Sequence, residues 1–212
     1  MRTLNLVVAT RNLSKIEQLA NLLLGAARVH PLPSDAHLDP EVEASLEAGT
    51  SFREIAERKA AAWSERLPDR LVIATDGGLL VPALGAAWDP LRTRRFAGEK
   101  ASNLDRANRL LELAENLDDD QRQIWWQEAL ALAAFGQVVQ SWTATSGPGV
   151  LARYVEPELI AQSGGFWVPA VWRSPEHDLQ QAAELSPSDF ADVFAHWPQL
   201  ALNLRRFLSN QE

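Results

Sequence analysis

The run Leu6-Val7-Val8-Ala9 is apolar at every position, with a β-branched centre, and a polar turn and an amphipathic stretch follow it directly. A strand without a polar face has to be covered on both sides, which confines the chain to folds where helices pack on a buried sheet. The helix that follows is predicted from Ser14 and Glu17 at capping-box spacing and from Ile16, Leu19, Ala20 and Leu23, which share one face. The same order recurs at Ser51, where Glu54 completes a second capping box and Phe52, Ile55, Ala56, Lys59, Ala60 and Trp63 fall on one stripe. Leu71-Val72-Ile73-Ala74 reads as a second buried strand that stops at Thr75-Asp76-Gly77-Gly78, leaving a carboxylate at its tip.

Further along, a helix is predicted over Leu104 to Asn116, with Ala107, Leu110, Leu111 and Ala114 inward. Ile124 to Phe135 and Val138 to Thr145 flank Phe135-Gly136-Gln137 as a long antiparallel hairpin. Ser186-Pro187-Ser188-Asp189 starts a helix, and Leu200, Leu204 and Leu208 mark a last one, separated from it by Pro198. No repeat, low-complexity tract or linker interrupts residues 1–212, so a single continuous domain is expected.

Charge narrows the partners. Lys and Arg number 20 against 28 Asp and Glu, a formal net charge of -8, which argues against a surface that gathers DNA or RNA phosphates. The chain has no cysteine, so disulfides, thiol catalysis and thiolate metal sites are excluded, in keeping with a cytoplasmic protein. The apolar runs are too short to span a membrane, and Met1-Arg2-Thr3-Leu4-Asn5 opens no secretory signal. Eight tryptophans stand against one tyrosine. Those around Trp125 and Trp142 offer an apolar surface for a second copy of the chain.

Few groups are left for chemistry. Thr10-Arg11-Asn12-Leu13-Ser14-Lys15 lies at a strand-to-helix junction, where backbone N–H groups, the helix dipole, Asn12 and Lys15 together suit a phosphate. The same residues also fit a capped helix with a surface lysine. Asp76, followed by two glycines, suits a Mg²⁺ ligand or a base, and equally a turn. Glu47 shares its loop with Asp39, Glu41 and Glu43, and Lys59 interrupts an apolar helix stripe. His30, His37, His177 and His196 form no zinc-binding pair, and neither a Gly-x-Ser-x-Gly nor a P-loop motif occurs.

Taken in order, these segments resemble the inosine triphosphate pyrophosphatase family. The resemblance rests on Thr10-Arg11-Asn12-Leu13-Ser14-Lys15, on Glu47-Ala48-Gly49-Thr50-Ser51-Phe52-Arg53-Glu54 with Lys59, and on Thr75-Asp76-Gly77-Gly78-Leu79. Arg95-Phe96-Ala97-Gly98-Glu99 and Gly164-Gly165-Phe166 complete it. It implies an α/β fold, two-lobed around a long mixed β-sheet with flanking helices and a nucleotide cleft between the lobes. It also implies a homodimer that hydrolyses nucleoside triphosphates to monophosphate and pyrophosphate with Mg²⁺. On that resemblance Thr10, Asn12, Lys15 and Lys59 hold the triphosphate, Glu47 and Asp76 hold the metal, and Asp76 and Lys15 serve the reaction. Phe166, Trp167 and His196 then contact the base. Thr75 stands where the family has the first Asp of an Asp-Asp pair. Phe166-Trp167-Val168-Pro169 lacks the family's base-reading Asp, and Ala195-His196-Trp197 keeps only the His of its Ser-His-Arg. These departures imply an altered or relaxed base preference or, as the alternative, a nucleotide-binding descendant without catalysis.

Overall fold

The computed structural model describes residues 4–162 and 166–210. Gly164 and Gly165 of the Gly-Gly-Phe segment lie outside the described residues. The elements in chain order are β1 (Leu4–Val8), α1 (Leu13–Leu22), β2 (Ala27–His30), α2 (Pro40–Ser45), α3 (Phe52–Arg66), β3 (Leu71–Leu80) and α4 (Asn103–Leu113). They continue as β4 (Gln123–Ala134), β5 (Gln137–Thr145), β6 (Gly149–Leu151), α5 (Pro157–Gln162), β7 (Trp172–Ser174), β8 (Gln180–Gln181), α6 (Pro187–Val193) and α7 (His196–Ser209). The strands form a mixed eight-stranded sheet in the order β2-β1-β3-β4-β6-β7-β8, with β5 also paired to β4. β1 runs parallel to β2 and β3, with Leu6 opposite Val29 and Leu71, whereas β6 pairs antiparallel with β4 and β7.

The chain divides into two compact units. The first holds the residues up to Gly77 together with Glu128–Ala144 and the chain from His196 onward; the second holds Gly78–Gln127 and Thr145–Ala195. In the first unit the pleat separates two cores. Leu6, Val8, Ile73, Leu130 and Leu132 pack with Leu19 and Leu23 of α1 and with Leu200, Leu204 and Leu208 of α7. Val7 and Val72, on the opposite face, pack with Trp63 of α3 and with Leu32. In the second unit Leu110, Leu111, Ile124, Trp88, Trp172, Val171 and Phe194 share a core. Arg122 is buried there, with Nε donating to the Leu151 carbonyl at 2.8 Å and Nη1 and Nη2 donating to those of Ala114 and Ala152, each at 2.6 Å.

Several local expectations are corrected. β3 does not stop at Ala74 but runs ten residues to Leu80, so Asp76 lies within a strand. Gly77 and Gly78 weaken a strand without breaking it when Leu79 and Leu80 resume the apolar pattern. α1 is capped by Asn12 rather than Ser14: the Asn12 Oδ1 accepts from the Ser14 and Lys15 N–H groups at 3.0 and 3.4 Å, and Ser14 falls inside the first turn. Ser51 caps α3 as expected, but the Glu54 carboxylate turns back to Thr50 instead of closing the box. α4 ends at Leu113 and opens with a capping box between Ser102 and Asp105. The hairpin turn is two residues, Phe135-Gly136, both at positive φ. Pro198 sits in the first turn of α7, where its missing N–H has no helical partner to lose; the helix break is at Phe194-Ala195.

Candidate active site

β1 ends at Val8, opposite Ile73, and the Ala9 N–H closes the pairing on the Ile73 carbonyl at 2.8 Å. Thr75 and Asp76 therefore project from β3 just beyond the end of its neighbour, at the carboxyl end of parallel strands where α/β sheets present ligand sites. Adjacent strand residues point to opposite faces, so each opens a different side of the sheet.

On the α3 side, the Lys59 ammonium stands 2.7 Å from Asp76 Oδ1 and 2.8 Å from Glu47 Oε1. α3 supplies Lys59 from the stripe that buries Ile55, Ala56, Ala60 and Trp63, and the loop between α2 and α3 brings Glu47. On the α1 side, Lys15 Nζ lies 3.1 Å from Glu128 Oε1 and donates to Thr75 Oγ1 at 3.2 Å. Thr10 Oγ1 accepts from the Asn12 N–H at 3.1 Å, which steadies the same turn.

Three carboxylates thus face two ammonium groups, and burial sharpens the imbalance. Burial works to lower the Lys59 pKa, but Asp76 and Glu47 together raise it above the ordinary lysine value. Burial raises the Asp76 carboxyl above the usual aspartate value; Lys59 and Lys15 counter part of the rise and Glu128 adds to it. His196, at the start of α7 and 1% exposed, is pushed down to about 4 by burial, with Glu128 favouring its charge and Lys15 opposing it.

Of the residues singled out in the sequence, Thr10, Asn12, Lys15, Glu47, Lys59, Asp76 and His196 all fall in the first unit. Phe166 and Trp167 belong to the second. Phe166 packs edge-on against Trp126 at 5.0 Å, and Trp167 is 4% exposed, its ring 6.3 Å from Phe96. Glu128 was missed. A single acid opening the otherwise apolar run Ala129-Leu130-Ala131-Leu132-Ala133 was the available signal.

Among the described residues no three His, Cys, Asp or Glu side chains are arranged to hold a metal ion. Glu47 and Asp76 nonetheless converge on one positive charge, the Lys59 ammonium, and a pair of carboxylate oxygens is the donor set Mg²⁺ uses when phosphates complete its shell. The residues fit such an ion.

Residues 6–187 match the sequence profile of the Ham1 family. The chain belongs to the Ham1 family. It is 34% identical over 183 residues to the dITP/XTP pyrophosphatase of Escherichia coli (strain K12), which covers 85% of this chain and 86% of that protein. It is 33% identical over 184 residues to the dITP/XTP pyrophosphatase of Geobacillus kaustophilus (strain HTA426), covering 87% and 84%. Among solved structures, a HAM1 protein from Coxiella burnetii superposes with a TM-score of 0.75 at 25% identity, over 98% of this chain and all 100% of that one. The Staphylococcus aureus Ham1 protein superposes with a TM-score of 0.74 at 22% identity, likewise over 98% and 100%, a likeness of fold. The long mixed sheet with flanking helices is the Ham1 architecture.

Proposed function

We propose that this Ham1 family chain is a Mg²⁺-dependent nucleoside triphosphate pyrophosphohydrolase that converts a triphosphate to monophosphate and pyrophosphate. The observation that carries the reading is the Lys59 ammonium between Glu47 and Asp76, with Lys15 on the opposite face of β3. Family membership and relatives named dITP/XTP pyrophosphatase support it.

Asn12, Lys15 and the N–H groups of the first turn of α1 bind phosphate oxygens, and Lys59 reaches the same chain of phosphates. Glu47 and Asp76 hold Mg²⁺, which supplies positive charge to the phosphate oxygens. Asp76 orients a water and takes its proton as the water oxygen bonds to the α-phosphorus. The bridging P–O bond then breaks and pyrophosphate leaves.

Base preference is altered or relaxed on this reading, because 166–169 and 195–197 lack most of the polar groups that the resembling family sets against the base. The protein acts in the cytoplasm as a homodimer, and the molar mass from light scattering checks the dimer. The activity test is pyrophosphate release with Mg²⁺ across ITP, dITP, XTP and the four common triphosphates. Turnover of at least one is expected. A rise in Tm with nucleotide and no turnover would instead identify a binding protein without catalysis.

A further inference from the structure

Glu128 is the only buried carboxylate among the described residues, 0% exposed at the head of a stretch of β4 buried through Ala133. A charge so placed is a poor way to stabilise a strand. Its desolvation is strongly unfavourable, and buried ion pairs are commonly replaced by apolar side chains without loss of stability. The carboxylate faces Lys15, whose ammonium lies 3.1 Å from Oε1 and whose side chain is still partly open to solvent.

The geometry around that ammonium is specific. Lys15 leaves the first turn of α1 on a four-carbon stem with many rotamers. Two of its three N–H donors are taken, one by Glu128 Oε1 and one by Thr75 Oγ1 at 3.2 Å. Fixing two donors of a tetrahedral ammonium fixes the direction of the third. Thr75 is adjacent to Asp76, and Lys15 and Glu128 both act on the Asp76 carboxyl. The pleat places Glu128 on the same face as Leu130 and Leu132, the face that carries Ile73 and Thr75.

We propose that Glu128 is a positioning residue for phosphate binding: from β4 it holds the Lys15 ammonium against Thr75, so that the remaining donor is presented to the polyphosphate. The inference rests on Lys15 being a phosphate ligand, as the proposed function has it. In this arrangement position 75 supplies a hydroxyl and position 128 supplies the carboxylate, and the two act as a matched pair on one lysine.

The test separates geometry from charge. Glu128→Gln keeps an oxygen acceptor for Lys15 and removes the negative charge, whereas Glu128→Leu removes both. Binding of inorganic tripolyphosphate is measured by calorimetry for wild type, both variants, Lys15→Ala and Lys15→Ala/Glu128→Leu. Wild-type turnover of the nucleotide panel, run in parallel, tests the pyrophosphohydrolase reading on its own. Glu128→Gln should bind within about threefold of wild type, and Glu128→Leu should lose about tenfold, the scale of freeing one rotamer-rich side chain. The double variant should bind no worse than Lys15→Ala alone, because Glu128 acts through Lys15. Thr75→Asp added to Glu128→Leu should recover binding, since a carboxylate at 75 stands within reach of the same ammonium. If an active wild type is obtained, the Glu128→Leu loss should appear in KM rather than kcat. Equal binding by Glu128→Leu and wild type, equal losses in the Gln and Leu variants, or losses that multiply in the double variant each overturn the proposal. So does a wild type that binds no tripolyphosphate. A wild type that binds tripolyphosphate but turns over no nucleotide overturns the hydrolase reading and leaves the Glu128 comparison decisive.

Discussion

Lys59 Nζ lies 2.7 Å from Asp76 Oδ1, on the side of β3 opposite to the one from which Thr75 meets Lys15. Two adjacent strand residues therefore serve two lysines from different helices. If Asp76 takes the proton of the attacking water, Asp76→Asn keeps the shape and an acceptor for Lys59 but no base. Pyrophosphate release should fall by roughly 10²–10⁴-fold, while nucleotide still raises Tm. Unchanged turnover in that variant rules Asp76 out as the base.

His196 makes stability depend on pH with a definite sign. Its pKa is about 4 in the folded chain against an ordinary 6.5, with Glu128 and Lys15 as the charged groups acting on it. Between those values the unfolded chain binds a proton that the folded chain refuses. The stability is fully present above about pH 6.5 and is lost as pH falls toward 4, by roughly 3 kcal/mol at most. His196→Gln should flatten the fall of the urea midpoint between pH 7 and pH 4.5. An unchanged slope places the pH sensitivity elsewhere.

Gly49 stands two residues after Glu47, where an added Cβ would lie 2.7 Å from Ile55 Cγ1 and 3.1 Å from the Ile55 backbone nitrogen. Ile55 is buried and cannot swing away. Gly49→Ala is expected to destabilise by roughly 1–3 kcal/mol through overpacking and to lower turnover by moving the Glu47 loop. Denaturation and steady-state kinetics on the same preparation check both effects.

Phe135 turns the β4–β5 hairpin at φ 52, the residue 72% exposed, beside Gly136 at φ 76. A bulky residue gains nothing there and carries the strain of the left-handed region. Phe135→Asn gives the preferred Asn-Gly pair and should stabilise by about 1 kcal/mol, read as a higher Tm with unchanged turnover.

The strand-turn-helix order, the Ser51 cap and the hairpin were legible because each is written in neighbouring residues. So was the grouping of Glu47 and Asp76 with Lys59, through spaced motifs rather than any one residue. The extent of β3 was not legible, because Gly77 and Gly78 read locally as a turn and only their neighbours in the sheet keep them extended. The Asn12 cap was hidden by Ser14, which has the more familiar capping-box spacing but sits two residues too late. Glu128 was hidden most deeply. Its role depends on an ammonium 113 residues away in the chain, and no local pattern records that distance.

Arg122 gives the second unit a different kind of unity. One guanidinium grips the carbonyls of Ala114, Leu151 and Ala152, so the residue capping the end of α4, the end of β6 and the residue after it share a single anchor. None of these segments can fray alone without stranding a desolvated cation. The end of α4 and the end of β6 are therefore expected to open together, with the amide protons of both exchanging in one common event.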